Sequence, residues 1–365
     1  MNKINLKPAA TLREPAELVA HGFAAAADLS ELEKVATRYA VALTPDIAAL
    51  IDANDPNDPI ARQFLPSAEE LVSYPGENAD PIGDHVHSPV EGIVHRYPDR
   101  VLFKLVHVCA VYCRFCFRRE MVGPNKPTAL SPDTYHAALD YIRAHSEVWE
   151  VILTGGDPLM LSPRRLAEIM ADLAAIDHVR IIRIHTRVPV ADPARVSREM
   201  IAALKVEGAT TWVAVHANHA RELTDKARAA CAGIIDAGIP MVSQSVLLRG
   251  VNDNAPALEA LMRAFVECRI KPYYLHHGDL APGTAHLRTT LAHGQELMRK
   301  LRGRVSGLCQ PEYVLDIPGG HGKAPVGPNY LSQENSFFQQ REPQAKTRYR
   351  VADYCGDVHL YPPEP

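Results

Sequence analysis

The chain has 365 residues, 47% of them hydrophobic and 22% charged, with a formal net charge of −4. That length suits one barrel domain with extensions. The charge balance shows no nucleic-acid footprint, no apolar run is long enough to span a bilayer, and the first residues lack the apolar core of a signal peptide. Seven cysteines, an odd number, without a secretion signal point to the reducing cytosol. A cytoplasmic protein without membrane or nucleic-acid partners is therefore expected.

The N-terminal region reads as helical. Leu29 to Leu43 has helical periodicity, Thr44 and Pro45 open a short helix as N-cap and first helical residue, and Ser67-Ala-Glu-Glu70 has the form of a capping box. Residues 1–90 are taken as a helical extension. From Val101 the pattern becomes rhythmic. Apolar, β-branched runs recur at Val101–Val108, Val148–Leu153, Val179–Ile184, Thr211–Val215, Pro240–Leu248 and Ile270–Leu275. Helix-like stretches separate them, near Pro132–Ser146, Pro163–Ala175, Pro193–Val206, Ala220–Ala237, Ala255–Cys268 and His293–Leu301. Alternation of this kind argues for parallel βα units. Six units give an α/β protein built on a partial (β/α)6 barrel, spanning residues 91–305, with a short C-terminal segment over 306–365.

The first strand runs into Cys109-Ala-Val-Tyr-Cys113-Arg-Phe-Cys116, spaced C-x3-C-x2-C. Three cysteines cannot pair among themselves, and so tight a loop would strain any bridge. Structural zinc wants a fourth ligand, and the other cysteines are scattered singly. Three thiolates can instead each hold one iron of a [4Fe–4S] cube, leaving the fourth iron open to a small molecule. The later strands also end in polar side chains: Thr154-Gly155-Gly156-Asp157, His185-Thr-Arg187, His216, Gln244 and His276-His-Gly-Asp279. In a parallel barrel such ends meet at one mouth, where sites are built. Near the other end of the chain, a strand at Val314-Leu-Asp316 gives way to the glycine-rich loop Ile-Pro-Gly-Gly-His-Gly-Lys323, which carries one lysine. A bare turn is one reading. A phosphate loop is not, because Gly-Lys-Ser/Thr is absent. A lysine presented to an aldehyde cofactor is the other reading.

The cysteine spacing resembles that of the radical S-adenosylmethionine (SAM) enzymes. The run of motifs from Asp80 to Tyr330 is similar to the lysine 2,3-aminomutase family: His95-Arg-Tyr-Pro-Asp-Arg, the cysteine loop with Arg118, Leu153-Thr-Gly-Gly-Asp-Pro-Leu, Gly250-Val-Asn-Asp, Lys271-Pro-Tyr-Tyr and Pro-Gly-Gly-x-Gly-Lys. The resemblance implies a [4Fe–4S] cluster on Cys109, Cys113 and Cys116, with SAM at the open iron. Gly155, Gly156, Asp157, His216 and Gln244 are the further expected cofactor contacts. It implies pyridoxal 5′-phosphate (PLP) on Lys323, with Arg96 and Arg100 at its phosphate. Arg118 is expected at a substrate α-carboxylate, and Asp279 and Asp316 at a distal ammonium. The expected reaction moves the amino group of L-lysine from C2 to C3, giving β-lysine. Arginine as substrate and supply of β-lysine for elongation factor P modification are the variants. The resemblance further implies a reductant protein such as flavodoxin or ferredoxin, and a homo-oligomer. Asn254 stands where zinc-bearing relatives carry a cysteine, and the tail holds only Cys355, so no structural zinc is expected. His276 stands where better-known members carry a tyrosine.

Overall fold

The computed structural model describes residues 8–122, 128–333 and 349–362; the polar tail segment Gln339–Pro343 lies outside them. Nine strands form one curled sheet in sequence order: β1 (Ile93–Tyr97), β2 (Arg100–Val106), β3 (Glu150–Gly155), β4 (Ile181–Thr186), β5 (Thr210–His216), β6 (Met241–Val246), β7 (Lys271–His276), β8 (Glu312–Asp316) and β9 (Lys323–Pro325). Strands β2 to β8 pair in parallel, while β1 and β9 are antiparallel edges. The sheet is thus the partial barrel expected, with one parallel strand more than the six-unit reading assigned. β8 extends it from β7 in register, with His276 opposite Val314. The β8–β9 hairpin then sets Asp316 directly across from Lys323. A second, three-stranded antiparallel sheet is formed by Leu331–Gln333, Tyr349–Ala352 and Val358–Tyr361.

The helices start where local chemistry lets them. Ser131, Ser162, Thr224, Asn254 and Thr290 each accept a backbone N–H from the first turn of the following helix. Asn254, the position expected to lack a zinc ligand, is therefore a helix cap. Two long helical readings break at such caps. Pro193–Val206 divides at Ser197, and Ala220–Ala237 divides at Thr224, each leaving a 3-10 turn before the helix. The helix over Leu29–Leu43 also ends early, at Arg38. Leu43 instead makes a two-way backbone bridge with Leu12, which draws the chain into an extended path.

The N-terminal extension consists of short helices and irregular backbone, and it shares one apolar core with the barrel. Leu12, Leu43, Ile47 and Phe64 pack in the same cluster as Phe103, Val111 and Leu153. Polar contacts fasten it to the strand-end loops. Gln63 O accepts from the Arg114 N–H at 2.8 Å, and Asp58 receives Arg221 at 2.8 Å. Glu70 is fully buried and takes both Arg114 (Nε to Oε1, 2.9 Å) and Arg119. The Ser67 capping box holds that glutamate in place, although the turn it caps is 3-10 rather than α.

Burial alone pushes the Glu70 carboxyl up, but the two guanidinium groups outweigh it and hold the pKa below the ordinary value. Its contribution to stability is present above the unfolded-state pKa of about 4.3 and is lost as pH falls through the lower folded-state value. Glu70→Gln is expected to cost ~3 kcal/mol in anaerobic denaturant titration, because two buried guanidinium groups lose their counter-charge. Iron bound per chain should fall with it, since Arg114 lies inside the cysteine loop. Unchanged stability would mean that water compensates the two arginines.

Candidate active site

Because β2 to β8 are parallel, their C-terminal ends converge, and one cavity of about 810 Å³ opens there and runs down the inside of the curled sheet. Every candidate residue from the sequence lines it: Cys109, Cys113, Cys116, Gly155, Gly156, Asp157, Arg96, Arg100, Arg118, His216, Gln244, Asp279, Asp316 and Lys323.

The three thiols sit on a tight, turn-rich loop after β2, with none of them in a disulfide. They also line a second, small cavity of about 50 Å³ between this loop and Gly155. Among the described residues no three His, Cys, Asp or Glu side chains converge on a single metal ion. All three thiols line the same two cavities, and three thiolates on one loop suit the three protein-held irons of a [4Fe–4S] cluster. Burial, and then the neighbouring acid and thiols, pushes Cys109 well above the ordinary thiol range, and burial takes Cys113 to about 12. Such thiols become ligands only when metal binding displaces their protons. Arg187 faces them. Its Nη1 donates to Glu222 Oε2 at 2.6 Å, and its guanidinium lies over the rings of Phe64 and Phe115.

Gly155 and Gly156 are expected to admit a ligand close to backbone. In the structure their smallness serves strand packing first. A Cβ on Gly156 would stand 2.3 Å from Val108 O, and the Gly156 N–H donates to Val106 O at 2.5 Å. The glycines let β3 press against the chain entering the cysteine loop. Asp157 likewise has a role within the fold. Its Oδ1 accepts from Thr186 Oγ1 (2.7 Å) and Leu159 N (3.0 Å), and its Oδ2 from Arg187 N (2.7 Å) and Val188 N (3.2 Å). Four donors fill the carboxylate, so it positions the end of β4 and with it Arg187.

Arg96 and Arg118 share an acid that the sequence does not single out. Asp84 Oδ1 accepts from Arg96 Nη2 at 3.1 Å, and Oδ2 from Arg118 Nη2 at 3.0 Å. Burial pushes Asp84 up, but Arg118 and then Lys104 outweigh it and hold the carboxyl low. Arg96 Nε remains buried without a partner. Arg100 lies with its guanidinium 3.9 Å from the Tyr97 ring centroid and donates to Asp99. Tyr97, part of the quoted His95-to-Arg100 motif but given no role there, accepts the Lys323 backbone N–H at 2.7 Å and fixes the root of the lysine. The loop before Lys323 lies against the N-terminal extension. Gly320 has φ +88° and its carbonyl is 2.8 Å from His87 Nε2, while a Cβ on Gly83 would strike Gly320 N at 2.4 Å.

The histidines complete the wall. His216 and His185 stand edge to face with centroids 5.5 Å apart, each with a buried Nε2 that no protein group satisfies. Burial lowers both, His216 to about 3, so both are neutral and each offers the cavity an unused nitrogen. His185 is marked in the sequence only as a polar strand end. Lys323 Nζ lies 2.6 Å from Asp316 Oδ1, and His276 Nδ1 lies 3.2 Å from Oδ2. Asp279 is raised to about 7, by burial first and then by Asp316. Asp316 is held low: the His276 bond and the Lys323 charge outweigh its burial.

Residues 103–261 match the model of the Radical SAM superfamily, and residues 298–341 match that of Lysine-2,3-aminomutase. The chain is 42% identical to the L-lysine 2,3-aminomutase of Clostridium subterminale over 81% of its own length and 70% of that protein's. The chain belongs to the lysine 2,3-aminomutase family. Members are isomerases that use a [4Fe–4S] cluster and SAM, and the three-thiol loop and orphaned polar nitrogens fit such groups. An L-lysine 2,3-aminomutase of Methanococcus maripaludis is 41% identical over 83% of this chain and 70% of that one. A glutamate 2,3-aminomutase of Clostridioides difficile is 35% identical over 84% of this chain and 72% of that one. Family membership therefore settles the reaction type and leaves the substrate to the cavity's own side chains. Among the described residues no helix is long and apolar enough to cross a membrane.

Asp84→Asn should strand two arginines whose side chains are only 9% and 12% exposed. A loss of ~3 kcal/mol in stability is expected, together with reduced retention of PLP after gel filtration, read by absorbance. Full PLP retention would show either that Arg96 keeps its pose without the acid or that Arg96 does not hold PLP.

Proposed function

We propose that this protein is a PLP-dependent, radical SAM L-lysine 2,3-aminomutase that converts L-lysine to β-lysine. The observation that carries the substrate is the acid pair at the ends of β7 and β8. Asp316 already holds a primary alkylammonium, that of Lys323, and Asp279 lies close enough for the Asp316 carboxylate to raise its pKa. A site with two acids stabilises a cationic side chain and repels an acidic one. The relatives named for lysine support the same choice.

When bound, the cluster and SAM would supply a hydrogen-abstracting radical, and PLP, seated on Lys323 until the substrate amine displaces that lysine, would carry the amino group during its move from C2 to C3. Cys109, Cys113 and Cys116 are the cluster ligands in this reading. The neutral imidazoles of His185 and His216, with Gln244 beside His216 in the sheet, supply polar atoms for SAM without adding charge. Arg96 and Arg100 take the PLP phosphate; guanidinium suits that group by its paired donors. Arg118, held by Asp84, takes the substrate α-carboxylate, and Asp279 with Asp316 takes the side-chain ammonium. Anchoring both ends leaves the carbon between them few orientations, which is the entropic part of the catalysis. The enclosing sheet and the packed N-terminal extension limit water at the reacting atoms. The proposed setting is the cytosol, with electrons from a flavodoxin or ferredoxin.

The test uses anaerobic, iron- and PLP-loaded protein with SAM, dithionite and L-lysine, followed by mass spectrometry and chromatography of the amino acids. β-Lysine should form, and borohydride should fix PLP to Lys323. Turnover of L-glutamate or L-arginine in preference to L-lysine would overturn the substrate reading. Asp279 gives a pH signature. Its pKa of about 7 means that it gains a proton below neutrality and loses its attraction for a cation. KM for L-lysine should therefore rise as pH falls below about 7, and in Asp279→Asn it should be high and flat across the same range.

A further inference from the structure

We propose that His276 is a positioning residue: it holds Asp316 as the fixed, ionised half of the seat for the substrate's side-chain ammonium. This rests on the function proposed above and deepens it. Asp316 is almost fully buried, with a relative exposure of 6%. A buried carboxylate is tolerated only where donors replace water. Two donors reach it, and they divide its oxygens: Lys323 Nζ on Oδ1 at 2.6 Å and His276 Nδ1 on Oδ2 at 3.2 Å. Lys323 has a separate task as the cofactor lysine, so His276 is the donor that Asp316 keeps.

The geometry also sets the tautomer. A carboxylate only accepts, so the contact places the proton on Nδ1. Burial keeps the imidazole neutral, which makes the contact a hydrogen bond and not a competing positive charge beside an ammonium. The ring itself cannot swing freely. It stands edge to face with Tyr274, centroids 5.6 Å apart, and Tyr274 is hydrogen-bonded to Tyr273 at 2.9 Å. Strand pairing adds the last restraint, since the His276 carbonyl accepts from Leu247 N at 2.8 Å. A neutral, immobile donor on Oδ2 leaves Oδ1 facing the cation. It also breaks the symmetry between the two acids: with a dedicated donor only on Asp316, the negative charge resides there before substrate arrives, and Asp279 is the acid that yields its proton when the ammonium enters.

The test compares His276→Leu, which removes the donor at similar bulk, with His276→Asn, whose amide N–H falls near the position of Nδ1. Both are made in the full chain, loaded with iron and PLP under anaerobic conditions. His276→Leu should raise KM for L-lysine about tenfold or more with much less change in kcat. Iron and PLP content should stay at wild-type values. His276→Asn should recover KM to within about threefold of wild type. L-Norleucine, which lacks the ammonium, should compete with L-lysine at a Ki that neither substitution moves. Equal losses in the two variants, or a parallel rise in the norleucine Ki, would overturn the proposal and reduce His276 to packing. A substrate-free readout separates this from failure of the lysine assignment. In 15N-histidine-labelled protein, with His276→Asn identifying the signal, the His276 ring should carry its proton on Nδ1. A ring protonated on Nε2 would sink the positioning role whatever the enzyme acts on.

Discussion

The interaction on which the site depends most is the buried grip of Glu70 on Arg114 and Arg119. The cysteine loop has no regular structure to hold it, yet a cluster needs three thiols at fixed mutual positions. Helices and strands satisfy their own backbone, whereas an irregular loop must find partners elsewhere. Here the partners come from the N-terminal extension: Gln63 O for the Arg114 N–H, Ala42 O for the Tyr112 N–H, and Ala40 O for the Arg114 side chain. The guanidinium groups then converge on one carboxylate that lies in the same extension. A removable lid would not suit this contact, because opening it would expose three paired charges at once. The extension is built into the cluster site.

The same rule recurs around the cavity. Asp84 balances Arg96 and Arg118, Glu222 balances Arg187, Glu150 balances Arg183, and Asp316 balances Lys323. Each pair is desolvated, so each is costly to break and worth little as net stabilisation. What such pairs provide is position. Arg118 would swing among many rotamers on a bare loop. Tied through two nitrogens to Asp84 Oδ2, it presents its remaining donor in one direction.

Much of this was legible in the sequence because it rests on local order. The C-x3-C-x2-C spacing, the βα rhythm and the strand-end polar residues are all short-range patterns, and parallel topology turns them into one cavity without further information. The roles of Asp84 and Tyr97 were not legible. Asp84 matters only because a 3-10 turn before β1 brings it between two arginines, and Tyr97 only because β9 folds back to place Lys323 N against its hydroxyl. β8 was legible as a strand leading into the glycine-rich loop, but its place as a seventh parallel strand was not, because that place is specified by its pairing with β7. The Gly155-Gly156-Asp157 motif lines the cavity and also has a packing role that its residue types do not announce: a neighbouring backbone presses on the glycines, and the turn after β4 bonds to the aspartate.

In the function proposed above, substrate choice follows from how the acid pair is charged. Two carboxylates with equal surroundings would share one proton and present a diffuse, half-neutral seat. In this cavity the surroundings are unequal: burial and Asp316 push Asp279 to about 7, while a histidine and a lysine keep Asp316 ionised. An entering ammonium therefore meets one full negative charge and a second that appears as it binds. An entering carboxylate meets the same fixed charge and could be accommodated only by protonating both acids. Asp316 resists that strongly, because protonation would displace a donor from one of its oxygens and give up the attraction of Lys323. On that reading, a cavity for an acidic side chain on the same barrel would need a different arrangement here, which would place the discrimination in a few strand-end side chains and not in the barrel that carries them.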